Sequence, residues 1–176
     1  ERKLKRESLE YVHKLGIIRD AIYGVDIQPI AVEIAKLRCF LSLIVDETID
    51  DTQPNRGVEP LPNLEFKFVC ANTLIGLHGD MLATNETIRK IEELKKVREE
   101  YLNSYGKEKK DLENKFLTIR SELSRLALNW QKGSEMALKL TEWNPFAYES
   151  CSWFDPDWMF GIKGGFDIAI ANPPYG

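Results

Sequence analysis

The chain has 176 residues, 43% hydrophobic and 30% charged, with three cysteines and a net charge of −4. That is the composition of a soluble globular protein able to bury a sizeable core, and no stretch approaches the roughly 18 uncharged apolar residues of a membrane span. A domain that grips nucleic acid through many phosphates is usually basic, so in a nucleic-acid enzyme the main phosphate grip would lie outside this chain. The opening ERKLKRESLE has no apolar core of a signal peptide, and a start at Glu1 reads as an excised internal piece. Cys39, Cys70 and Cys151 are widely spaced, form no CxxC pair, and stand at no metal-ligand spacing from His13 or His78. They read as reduced thiols of a cytoplasmic protein, with no metal site and no disulfide framework.

In chain order, residues 2–15 carry Leu4, Leu9, Val12 and Leu15 on one stripe, which predicts a helix. AIYGVDI, Ala21 to Ile27, is short, β-branched and apolar, and predicts a strand with an acid near its end. Pro29 then opens a helix to about Val45, with Ile30, Ile34, Leu37, Leu41 and Ile44 at spacings of three and four. Proline suits a first helical turn, where its missing N–H is not needed. Residues 46–63 are polar, acidic and proline-bearing, a loop. LEFKFVCA, Leu64 to Ala71, predicts a second strand, followed by Asn72 and Thr73.

Residues 86–130 change character. Ile88, Ile91, Leu94, Val97 and Tyr101 make one stripe, and Leu112, Phe116, Ile119, Leu123, Leu126 and Trp130 another, broken at Asn103-Ser104-Tyr105-Gly106. This predicts an antiparallel helical hairpin. Its interleaved charges, eleven basic and nine acidic over 86–125, read as a solvated face; a docking arm for a partner subunit, or for self-association, is the alternative. Residues 143–165 mix Trp143, Phe146, Tyr148, Trp153, Phe154, Trp158 and Phe160 with prolines and glycines. Packing over a sheet edge is favoured there over a ligand pocket. Phe166 to Ala171 predicts a third strand, closing on Asn172-Pro173-Pro174-Tyr175.

Three apolar strands separated by helix-bearing connections predict an α/β fold with a mostly parallel sheet. Ligands bind such sheets at the carboxyl ends of the strands, which here are Asp26, Asn72 and Asn172. An acid at such a tip can accept from ribose hydroxyls, or cap the helix at Pro29. Asn72 can pair with an adenine edge, but an Asx-turn is the commoner use of that residue. In Asn172-Pro173-Pro174 each proline removes an N–H and pushes its predecessor into extended backbone. Two fixed oxygen acceptors result, suited to an amino group with two hydrogens, and Tyr175 adds a face on which a base can stack, worth about 1–3 kcal/mol. Acceptors on both hydrogens return the lone pair of an aromatic amine to its nitrogen and meet the positive charge that develops as it attacks.

With these residues the chain resembles the adenine-specific DNA methyltransferases that use S-adenosylmethionine, above all the large type II enzymes of bacterial restriction-modification systems, some fused to a nuclease. Three blocks carry the likeness: IYGVDIQPIAVEIAKLRCFLSLIVDE, LPNLEFKFVCANTL, and NPFAYESCSWFDPDWMFGIKGGFDIAIANPPYG. The middle block departs, with Ala71-Asn72-Thr73-Leu74 where the family usually has Gly-Asn-Ser-Leu. The resemblance implies a partial Rossmann-like methyltransferase sheet over 1–82 and 133–176, interrupted by a helical hairpin insertion over 83–132. It implies Asp26 on the cofactor ribose, Ile27 on the cofactor adenine, and Asn72 with Thr73 at that adenine's edge. It further implies Asn172 and Pro173 accepting from the target amino group, Pro174 stiffening the loop, Tyr175 stacking on a flipped adenine, and DNA as partner of the full-length enzyme. The family's Gly-rich first motif is absent, so this piece alone is expected to be inactive. Asn-Pro-Pro-Tyr loops also serve enzymes that methylate protein glutamine or RNA amines, which the motif alone does not separate.

Overall fold

The computed structural model describes residues 2–45, 50–53, 56, 62–77, 84–128 and 135–172. Pro173, Pro174 and Tyr175 lie outside the described residues, as do His78, Trp130, the Leu4 side chain and most of the expected 46–63 loop. In chain order the elements are α1 (Arg2–Asp20), β1 (Gly24–Asp26), α2 (Pro29–Ile44), β2 (Phe68–Cys70), α3 (Asn85–Leu102), α4 (Gly106–Leu128), α5 (Glu135–Glu142) and α6 (Pro156–Phe160).

β1 and β2 pair in parallel, with Gly24 opposite Phe68, Val25 opposite Val69 and Asp26 opposite Cys70. Gly24 is fixed by this register: a Cβ there would stand 2.6 Å from the Phe68 ring. The second edge of β2 is taken by the aromatic connection. Ala71 bridges Cys151, Gly76 bridges Phe154, and Cys151 N–H donates to Cys70 O at 2.9 Å. The expectation that this segment covers a sheet edge is met, and Trp143, Trp153, Trp158 and Phe160 are buried in doing so.

Because side chains alternate along a strand, β2 feeds two cores. Phe68 packs with Leu64, Val32, Leu43, Tyr11 and Ile18 beneath α1 and α2. Val69 and Ala71 face the other way, into a larger core built from α3, α4 and the aromatic connection. The parallel pair is thus covered by helices on both faces, an α/β arrangement.

The hairpin forms where its stripes predicted, with the turn at 103–105. Ile91, Leu94, Val97 and Tyr101 of α3 and Phe116, Ile119 and Leu123 of α4 are buried in the same core as Phe66, Val69 and Ala71. Many of its charges pair: Lys90 bridges Glu93 at 3.2 Å and, across the hairpin, Glu122 at 2.7 Å, while Lys109 reaches back to Glu65 at 2.8 Å. α3 is capped by Thr84, whose hydroxyl accepts from Thr87 N–H.

Three expectations are corrected. The first strand is three residues, not seven. The second is also shorter than predicted, because Lys67 N–H and Phe68 N–H both bond Leu64 O and make 65–67 a turn. The third strand, Phe166 to Ala171, does not form: no described residue pairs with it, and Ile168 and Ile170 are 80% and 94% exposed. A strand exists only beside a partner: the second edge of β2 is taken at its end by Cys151, and no described residue pairs along the outer edge of β1. α5 and α6 are helices within stretches for which periodicity predicted none.

Candidate functional site

Two of the three predicted tips come together. In β1 the register places Asp26 opposite Cys70, and Ala71 N–H donates to Asp26 O at 2.9 Å, so Asp26, Ile27, Ala71 and Asn72 share the carboxyl end of the parallel pair. Thr73 follows, exposed.

The chain turns sharply after β1. Gln28 N–H donates to Asp26 Oδ1 at 2.8 Å. Gln28, in extended backbone with φ −99° and ψ 119°, is the residue that caps α2, and Pro29 takes the first helical position. The carboxylate therefore orders the turn into α2 without being its N-cap. Its second oxygen takes no bond from a described residue, and the side chain is exposed. Ile27 stands beside it, 56% exposed, an apolar surface next to an open acceptor. The Cys70 thiol lies just beneath, donating to Ile27 O at 3.4 Å; burial raises its pKa.

Asn72 makes the Asx-turn that local chemistry favours: its Oδ1 accepts from Leu74 N–H at 3.0 Å. Its own N–H donates to Cys151 O at 3.0 Å. The side-chain oxygen is thereby held within the turn, which leaves the Nδ2 amide as the donor it can offer a ligand.

The third tip is reached differently. Phe166 packs its ring 5.9 Å from Tyr23, the residue just before β1, and 6.2 Å from Phe160 of α6. Tyr23 in turn stacks 4.9 Å from Phe160 and carries Lys67 Nζ 3.6 Å above its ring. The segment bearing Asn172 thus leaves from the amino end of β1. Asn172 itself is exposed.

Two buried polar residues near this framework were not singled out by sequence reasoning. Asn63 donates through Nδ2 to Tyr101 O and Ser104 O, each at 2.7 Å, tying the hairpin turn to the approach of β2. Arg98, on α3, is 4% exposed and donates to the Asp157 and Trp158 carbonyls of α6. A charged residue on an amphipathic helix reads as solvated, so the sequence carried no signal for Arg98. Among the described residues no three His, Cys, Asp or Glu side chains are grouped to hold a metal ion, and no helix is long and apolar enough to cross a membrane.

Compared with known proteins, residues 20–176 match a family described as Eco57I restriction-modification methylase. A protein of Methanocaldococcus jannaschii named as a type II restriction enzyme and methyltransferase is 51% identical over 74 residues, which is 42% of this chain and 6% of that relative. The chain thus spans a small part of that relative's length. No solved structure matches the chain.

Proposed function

Because the chain belongs to the Eco57I restriction-modification methylase family, we propose that it forms part of a DNA methyltransferase that transfers methyl from S-adenosylmethionine to the exocyclic amino group of a flipped adenine. The observation that carries this reading is the shared tip of two parallel strands, where Asp26, Ile27 and Asn72 lie side by side.

The donor set fits the cofactor. The open carboxylate oxygen of Asp26 accepts from ribose hydroxyls, and the exposed Ile27 side chain packs on the adenine face. The Asn72 amide, oriented by its Asx-turn, donates to the polar edge of that ring, with Thr73 beside it. When bound, S-adenosylmethionine supplies a methyl group on a sulfonium leaving group, and the chemistry asks for no metal and no covalent enzyme intermediate.

The remaining work falls to the loop. The Asn172 side-chain oxygen and the Pro173 carbonyl accept from the two hydrogens of the target amine, restoring nucleophilicity to its nitrogen. Pro173 and Pro174 hold this acceptor pair rigid, since neither can rotate about φ. Tyr175 stacks on the extruded base and offsets part of the unstacking cost. Reach permits the assembly: the six steps from Phe166 to Asn172 span up to about 20 Å when extended, while Tyr23 to Asp26 covers about 10 Å. A Rossmann-like sheet is part of the same proposal, as is a place in a restriction-modification system, with DNA as the partner of the complete enzyme.

The test is transfer of a labelled methyl group by the complete enzyme to DNA, RNA and protein side by side, with adenine-methylated DNA the expected product. Asn172→Ala should lower the transfer rate by about 10²–10³-fold with little change in cofactor affinity, and Asp26→Ala should chiefly weaken cofactor binding. Label appearing in RNA or protein, or full activity in Asn172→Ala, would overturn the reading.

A further inference from the structure

α6 is five residues long, capped at its start by Asp155, whose carboxylate accepts from Trp158 N–H at 2.7 Å. Its end is closed by Gly161 N–H on Asp157 O and Ile162 N–H on Pro156 O, each at 3.0 Å, and is also held from outside: Arg98 Nη1 donates to Asp157 O at 2.8 Å and to Trp158 O. Gly161 ends α6 with φ 80°, and a Cβ there would stand 2.8 Å from Arg98 Nη2. Glycine is needed twice over, for the left-handed turn and for the guanidinium beside it. Lys95, one turn earlier on α3, pairs with the Asp157 carboxylate at 3.0 Å.

Among the described residues Arg98 has only a loose carboxylate partner of its own. Glu99 lies 3.9 Å away and is mostly exposed, and the Asp157 carboxylate is taken by Lys95. Burial therefore works against the charge and lowers its pKa, opposed by Glu99 and Asp157. An apolar side chain of similar volume would sit at this place in the core at less cost, so a desolvated guanidinium aimed at two main-chain oxygens points to a geometric task. What lies beyond those oxygens is the chain leading to the acceptor loop: Gly161, Ile162, then Phe166 against Phe160 and Tyr23, then Asn172.

We propose that Arg98 is a positioning residue for methyl transfer: by clamping the end of α6 it sets where the 162–172 segment, and so Asn172, stands relative to the tip of β1. This rests on the methyltransferase reading above. On this proposal the hairpin, which carries no family motif, acts on the reaction through one side chain while leaving Asp26, Ile27 and Asn72 untouched.

The test compares Arg98→Met, Arg98→Lys and Gly161→Ala in the complete enzyme, below their unfolding midpoints. Arg98→Met is expected to lower kcat about 10- to 100-fold, as small misplacements of a reacting group do, while the Kd for S-adenosylmethionine stays within about twofold. Amide exchange should rise at Gly161 and Ile162, whose N–H groups bond the Asp157 and Pro156 carbonyls, and remain unchanged in β1 and β2. Arg98→Lys should recover part of kcat, because an ammonium can still donate to the two carbonyls. Gly161→Ala should lower kcat in the same sense by displacing the guanidinium, a second route should Arg98→Met fail to fold. A kcat within about twofold of wild type in Arg98→Met, or exchange rising equally in β1 and β2, would overturn the proposal. If the wild-type enzyme methylates no DNA, the functional reading fails instead, and the clamp is judged by exchange at Gly161 and Ile162 alone: unchanged exchange overturns it, and a local rise supports it.

Discussion

The two faces of the parallel pair are finished to different degrees. On the hairpin side, Phe66 meets Tyr101, Phe116, Trp143 and Phe146 ring to ring at 5.3 to 5.7 Å, and the stripes of α3 and α4 face inward apart from the exposed Ile88. On the other side, α2 buries Val32 and Leu43 against β2 but turns Ile30, Ile34, Leu37, Leu41 and Ile44 outward. Both helices of the hairpin and α2 show the same alternation of threes and fours in sequence, yet among the described residues nothing packs on the α2 stripe. A periodic apolar stripe announces a helix and the direction of its sticky face; it does not announce that the face is covered. The hairpin side should therefore hold most of the stability of the described chain.

The sharpest way to break that comparison is Phe66→Ala. The ring is buried at the meeting point of sheet, hairpin and aromatic connection, and its loss should cost about 3–5 kcal/mol, read from urea unfolding. A cost under about 1 kcal/mol would mean that this core is not the one that holds the fold. Asn63→Ala should cost less, about 1–3 kcal/mol, since it removes the donor to the Ser104 carbonyl, while the Tyr101 carbonyl keeps Ser104 N–H and Oγ. It should also raise amide exchange at the hairpin turn before it does so in β1. Uniform exchange would show that the hairpin and sheet do not communicate through this contact.

How much of this was legible in the sequence depends on the range of the deciding interaction. α2 was readable because Pro29 and the apolar spacing are local, and the hairpin because two stripes flank a break at 103–106. The 65–67 turn was hidden, because Leu64, Phe66 and Phe68 mimic strand alternation while the backbone folds back on Leu64 O. The third strand was misread for a different reason: FDIAIA has the residues of a strand, but strand formation is decided by a neighbour that no local pattern reports. At the candidate site, Asp26 and Asn72 were found as polar residues ending apolar runs, and the Asx-turn of Asn72 followed from its own chemistry. Arg98 was invisible because its burial depends on α6, about 60 residues away, itself too short at five residues to show a period.

The smallest expected effect tests the open face. Ile34 sits mid-stripe on α2 and is half exposed. If nothing packs on that face in the isolated chain, truncation removes surface that water already touches, and alanine is the better helix former. Ile34→Ala should then change the unfolding free energy by no more than about 0.5 kcal/mol, the range of ordinary surface substitutions. The same change at Leu94 or Leu123, identical in kind but inward-facing, should cost about 2–5 kcal/mol. The contrast matters more than either value, because all three positions belong to stripes of the same spacing on well-formed helices. Should Ile34→Ala approach the cost of the buried pair, the α2 stripe would have to be covered in solution, and the two faces of the sheet would differ in partner rather than in packing.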